Sequence, residues 1–154
     1  MSPHRIASTI RREAPLLRCE EPLRDAVPRI IDADAPALPV VDDAGKLRGI
    51  FGEREFIGAL FPGYLTTLGY AGFVPRSLDD ALRKRAACVD EPVRKYMNTD
   101  HIDVGEDFSD TQLAEIFLHH RVLIIPIVDA GRVTGIVTRE DFFRAVAQRT
   151  LGLS

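Results

Sequence analysis

Thr138 and Asp141 are the two residues of this chain whose types and spacing best suit chemistry on a ligand. They lie in Gly135-Ile136-Val137-Thr138-Arg139-Glu140-Asp141, where a short apolar run predicts a strand and the residues after it a helix. Thr138 falls where the strand becomes the helix. There its hydroxyl and the first unpaired N–H groups of the helix make a place for a phosphate. Asp141, one turn on, is a carboxylate able to accept two hydrogen bonds from a vicinal diol such as a ribose. The same spacing also suits a plain cap. Thr-x-x-Asp is close to the Ser/Thr-x-x-Glu/Gln capping box, with Asp141 reaching back to the Thr138 N–H. Spacing alone favours the cap.

The elements that must position this pair occur twice. Ala37-Leu38-Pro39-Val40-Val41-Asp42-Asp43-Ala44-Gly45-Lys46-Leu47-Arg48-Gly49-Ile50 returns as Ile124-Ile125-Pro126-Ile127-Val128-Asp129-Ala130-Gly131-Arg132-Val133-Thr134-Gly135-Ile136. After a one-residue slip in the turn, Glu55-Phe56 matches Asp141-Phe142. Repetition implies two similar half-domains with a cleft between them. Each copy reads as strand, helix, strand, strand, helix. In the first, Leu16–Cys19 is a strand, and Leu23, Ala26, Val27, Ile30 and Ile31 mark an amphipathic helix behind Pro22. A hairpin of 38–41 and 46–51 crosses Asp42-Asp43-Ala44-Gly45, and a helix follows over 53–60. In the second, 102–104 is a strand and 109–120 a helix with Leu113, Ile116 and Phe117 on its apolar face. A hairpin of 123–128 and 132–137 and a helix over 139–148 complete it, with Phe142, Phe143 and Val146 turned inward.

The predicted organisation is an arm over 1–14, a first repeat over 15–61, a connector over 62–91 and a second repeat over 92–150. In the arm, Ser8-Thr9 caps a helical turn that Pro15 ends. The connector carries Tyr64, Tyr70 and Phe73, and a helix over 78–87 behind Ser77-Leu78-Asp79-Asp80. It reads either as a cover for one edge of the core or as a lid or partner surface.

Composition excludes several classes. With 45% hydrophobic residues over 154 positions, the chain can bury a core. A net charge of −3 disfavours nucleic acid as a partner. No apolar run is long enough to cross a bilayer, and Met1-Ser2-Pro3-His4-Arg5 lacks a signal peptide's apolar segment. Cys19 and Cys88 stand far apart, which predicts reduced thiols and a cytoplasmic protein. His119-His120 with His101 and Asp103 make a poor metal site, because adjacent helical residues point about 100° apart. No metal is expected. Arg83-Lys84-Arg85 reads as a solvated face, and Asp32, Asp34, Asp42 and Asp43 as loop carboxylates. No triad, Cys-His pair or phosphate-cradling Gly-rich loop is present, so no enzyme is expected.

Three stretches carry a resemblance to a known family. They are Ile124–Asp129 with its Gly turn, Gly135–Asp141, and Leu118-His119-His120-Arg121-Val122 before them. The chain resembles the CBS domain, here as a tandem pair or Bateman module. The resemblance implies an α/β (α+β) fold of two β-α-β-β-α repeats packed as a pseudo-twofold pair. It implies a regulatory module that binds an adenosine ligand, needs no cofactor and signals to a separate effector protein. AMP, ADP and ATP are the candidate ligands, with S-adenosylmethionine as another. A ligand-free dimerisation scaffold is the alternative. The resemblance also places Thr138, Asp141 and Ile136 opposite Thr9, Ile10, Pro15, Leu16, Ala35, Pro36 and Ala37. For the phosphates, the sequence offers Arg139, Arg18, Arg11 and Arg12 without placing them. The second cleft would use Gly52, Glu55 and Ile50 with Val122 and Leu123. It departs from the pattern, since Gly52 has no hydroxyl and Glu55 is longer than Asp. A homodimer is implied, with Phe56, Leu60, Phe142 and Val146 as interface or core.

Overall fold

The computed structural model describes residues 6–61 and 78–153, so Tyr64, Tyr70, Phe73 and Ser77 lie outside the described residues. The elements are α1 (Ala7–Ile10), β1 (Leu17–Arg18), α2 (Leu23–Ala33), β2 (Ala37–Val41), β3 (Leu47–Gly52), α3 (Glu53–Leu60), α4 (Leu78–Lys84), β4 (Val104–Gly105), α5 (Asp110–His119), β5 (Ile124–Asp129), β6 (Arg132–Thr138) and α6 (Arg139–Leu151). Short 3₁₀ turns span Ala86–Asp90 and Val93–Lys95.

The fold is α+β with two three-stranded sheets, β1-β2-β3 and β4-β5-β6. In each, the first strand runs parallel to the second, and the second pairs antiparallel with the third. Pro39 pairs with Ile50, and Pro126 with Ile136. Each hairpin has a bulge at the matching place, Val40/Val41 and Ile127/Val128. Two cores lie under the sheets. One gathers Leu17, Leu23, Leu38, Phe51 and Val93; the other gathers Phe108, Leu113, Ile125, Val137 and Phe142. A third cluster, Ala37, Ile50, Ile124 and Ile136, joins the sheets with equivalent residues from both repeats.

The segment before the first strand of each repeat crosses to the other repeat. Arg12 exchanges two backbone hydrogen bonds with Ile136, both 2.9 Å, and Asn98 exchanges two with Ile50, at 2.8 and 3.0 Å. The crossings need glycine beneath them. A Cβ on Gly135 would lie 3.1 Å from the Arg12 carbonyl, and one on Gly49 2.9 Å from that of Asn98. The arm thereby joins the second core through Ala7 and Ile10, while Cys88, Val93, Tyr96 and Met97 join the first.

Some expectations change. The arm's helix does not start at Ser8-Thr9. It spans Ala7–Ile10, and the Asp110 carboxylate accepts from the Ile6 and Ala7 N–H groups at 2.6 and 3.0 Å. Beyond it the chain is extended, because Arg12 pairs with β6. Phe142 is buried and stacks near Phe117, with ring centroids 5.5 Å apart. Phe143, rotated about 100° around the helix, is 68% exposed, and Val146 sits on the surface. Phe56 and Leu60 pack against the first core, whereas Ile31 and Ile57 point outward.

Candidate functional site

Thr138 caps α6. Its side chain is buried, and its Oγ1 accepts from the Asp141 N–H at 3.0 Å. The N–H of Arg139 donates to the Leu123 carbonyl at 2.9 Å. Two of the helix's first N–H groups are thus engaged by the chain itself. The Asp141 carboxylate is not turned back to the Thr138 N–H. Its Oδ2 accepts from Arg12 Nε at 2.7 Å. That ion pair, despite some burial, holds the Asp141 carboxyl below the usual carboxylate range and raises the Arg12 guanidinium.

Two cavities flank this junction. The smaller, about 390 Å³, is lined by Thr9, Ile10, Arg12 and Asp141 with Arg144 and Gln148. The larger, about 960 Å³, is lined by Asp34, Ala35, Pro36, Leu123, Arg139 and Glu140, and opens toward Ile31, Ile57 and Phe143. The residues expected around one cleft are therefore shared between two spaces. Ile136 and Ala37 are buried in the cluster that joins the sheets. Pro15 is exposed and Leu16 offers its carbonyl to Arg29 at 2.9 Å, and neither lines either of these two cavities. Among the four arginines, Arg18 pairs with Asp43 and Arg11 with Glu106. Arg139 lines the larger cavity, and Arg12 reaches Asp141. Asp34 reads in the sequence only as a loop carboxylate, and Arg144 and Gln148 carry no signal there.

The first repeat builds the same junction differently. Glu55 accepts from the Gly52 N–H at 2.9 Å, which makes it a cap, and burial pushes its carboxyl up. Glu53 N–H donates to the Pro36 carbonyl at 2.9 Å, as Arg139 does to Leu123. No side chain fits at Gly52. An added Cβ would lie 2.2 Å from the Pro36 carbonyl oxygen and 2.4 Å from the Ala37 Cβ. Ile50 is buried between the sheets, Val122 belongs to the second core, and Leu123 faces the larger cavity.

Residues 6–62 and 93–148 both match the family pattern of the CBS domain. The chain belongs to the CBS-domain family. Over 124 residues this CBS pair is 31% identical to an uncharacterized protein of Methanocaldococcus jannaschii, covering 79% of this chain and 27% of that one. Over 128 residues it is 24% identical to the A-adding tRNA nucleotidyltransferase of Aquifex aeolicus, covering 82% of this chain and 12% of the enzyme. The chain spans well under two thirds of either relative. Among solved structures, the CBS-pair protein CBSX2 of Arabidopsis thaliana is similar at a TM-score of 0.70 and 19% identity, over 97% of this chain and 99% of that one. CBSX2 in complex with AMP gives 0.67 and 19%, over 95% and 98%. A CBS-domain containing protein from Agrobacterium tumefaciens gives 0.68 and 20%, over 92% and 90%. These likenesses show the fold. Among the described residues, no helix is long and apolar enough to cross a membrane.

Proposed function

We propose that this CBS pair is a regulatory module that binds an adenine nucleotide, or a related adenosine ligand, beside Thr138 and Asp141 and passes its occupancy to a separate partner protein. The observation that carries this reading is the asymmetry of the two junctions. In the second repeat a carboxylate faces a cavity of about 390 Å³, within the size range of ligand sites. In the first, Glu55 is a cap and Gly52 is closed over by Pro36 and Ala37. A single principal site follows. CBSX2, a structure of the same fold, is described in complex with AMP, which supports AMP, ADP or ATP ahead of S-adenosylmethionine. Ala35 and Pro36 supply small apolar surface for the adenine.

Signalling follows from position. The cleft draws on the arm, the C-terminal end of α2 and the start of α6, so a ligand there changes how the repeats and the arm are held together. The exposed apolar side chains of Ile31, Ile57 and Phe143 supply the face for a homodimer. Buried or half-buried thiols at Cys19 and Cys88 suit the reducing cytoplasm. Thermal unfolding of the dialysed protein with AMP, ADP, ATP, S-adenosylmethionine or adenosine tests the reading. A ligand at about 100 times its Kd adds roughly 2.7 kcal/mol. No shift with any of them favours the ligand-free scaffold built on the apolar face.

A further inference from the structure

Arg12 joins three parts of the protein through one guanidinium. Its Nε donates to Asp141 Oδ2 at 2.7 Å, and its Nη1 donates to the carbonyls of Asp34 and Ala33 at 3.0 and 3.4 Å. Asp34 is on the wall of the larger cavity and Asp141 on that of the smaller. The guanidinium therefore bridges a wall residue of each cavity, one from either repeat. It is surrounded by negative charge from Asp141, Asp34 and Glu140. The neighbouring cations Arg11 and Arg144 share the smaller cavity but each has an acidic partner of its own, and Arg139 lies across the larger one. Arg11 is held by Glu106 at 2.7 Å, Arg144 by Glu140 at 3.0 Å, and Arg139 lines the far space. Among the described residues, the first repeat has no equivalent bridge. Asn98 takes the matching backbone position, but its side chain accepts from the Asp100 N–H at 2.9 Å, and Glu55 faces Gly52.

We infer that Arg12 is a latch that makes the site select phosphate-bearing adenosine ligands over uncharged ones. This rests on the nucleotide reading above and names its specificity. With Arg12 on Asp141, the carboxylate that would take a ribose diol is occupied. A ligand must exchange its diol for the guanidinium. Adenosine replaces an ion pair by hydrogen bonds from uncharged hydroxyls to the carboxylate, and leaves the arginine without its anion. AMP makes the same exchange and returns a phosphate to the freed guanidinium, with two N–H groups matched to two oxygens. The exchange also gives up the tie between the arm and the start of α6, which couples occupancy to the arm. If the guanidinium is removed, Asp141, Asp34 and Glu140 remain, with Arg11 and Arg144 on the same wall in their own ion pairs, a surrounding that favours phosphate less and leaves the diol acceptor open.

Titration calorimetry of AMP and adenosine against the full chain, Arg12→Gln and Arg12→Lys tests this. The wild type should bind AMP at least about tenfold more tightly than adenosine. Arg12→Gln should bind adenosine more tightly than the wild type does and bring the two affinities to within about threefold of each other. Arg12→Lys, which keeps the charge without the fork, should fall between. A residue that only supported the fold would move both affinities together. Equal affinities in the wild type, or a preference unchanged in Arg12→Gln, overturn the latch while leaving the nucleotide reading in place. Folded proteins that bind neither compound overturn the nucleotide reading, and the latch with it. The wild-type comparison stands even if a variant fails to fold.

Discussion

Asp141→Ala separates the structural and the ligand roles of one carboxylate. The cap of α6 should survive, because Thr138 Oγ1 bonds the backbone N–H of residue 141, which alanine keeps. What disappears is the ion pair with Arg12 at 2.7 Å, between side chains that are 23% and 31% exposed. Fully exposed pairs contribute about 0.2–1 kcal/mol, and buried hydrogen bonds to charged groups about 1.5–3 kcal/mol. This pair lies between those limits, and Arg12 keeps the Ala33 and Asp34 carbonyls as acceptors. The expected cost is about 1–2 kcal/mol, or a Tm lower by roughly 3–6 °C for a chain of this size. The effect on AMP is a separate quantity. Loss of the diol acceptor should weaken binding by at least about tenfold, roughly 1.4 kcal/mol, reduced from the full value of two charge-assisted bonds because the wild type must first give up Arg12. Urea unfolding measures the first quantity and calorimetry the second. An unchanged urea midpoint would refute the energetic role of the ion pair. A folded Asp141→Ala that binds AMP as the wild type does refutes the site.

Four further outcomes follow, three of them from the junctions. Thr138→Val leaves the Asp141 N–H without its acceptor at a buried cap, so urea unfolding should show a loss of about 1–2 kcal/mol; no loss would mean that the cap is replaced. Glu55→Gln keeps the acceptor for Gly52 and removes a charge that burial disfavours. Because the folded carboxyl of Glu55 is raised, its stabilising contribution is complete below the ordinary glutamate value and is lost as pH rises through the folded value. The variant should therefore be more stable than the wild type at pH 7, and the advantage should shrink toward about pH 4; urea midpoints at both values check the sign. Gly52→Ala drives a Cβ into Pro36 and Ala37 and should cost about 2–3 kcal/mol. Gly58→Ala, in α3 with nothing within 4 Å of the new Cβ, should add about 0.5–1 kcal/mol, which thermal unfolding of the pair resolves.

The order of the elements was legible because the repeat states it twice. The hairpins lie where Pro39 and Pro126 and the Gly turns place them, and α3 spans Glu53–Leu60 as its pattern predicts. Thr138 at a strand-to-helix junction was equally legible, since a cap is a local matter of spacing. Helix faces were read less well. Phe142 and Phe143 are both strong hydrophobes, and composition does not say which of two neighbours the core takes. The arm was misread because its conformation is decided at a distance. Asp110, more than a hundred positions away, starts α1, and Ile136 extends the chain beyond it.

By itself, the sequence determined that there are two copies of one unit, their order of strands and helices, and the chemical difference between Thr138/Asp141 and Gly52/Glu55. These are properties of residue type and short spacing, which periodicity and capping chemistry express directly. Only the tertiary structure decided which arginine meets Asp141. Four candidates stood at unrelated positions, and Arg12 is 129 residues from its partner. No local rule connects them. The crossing of the arm over Gly135 puts Arg12 beside the start of α6 and the end of α2 at once, so the division of the cleft into two cavities exists only when both repeats and the arm are packed together.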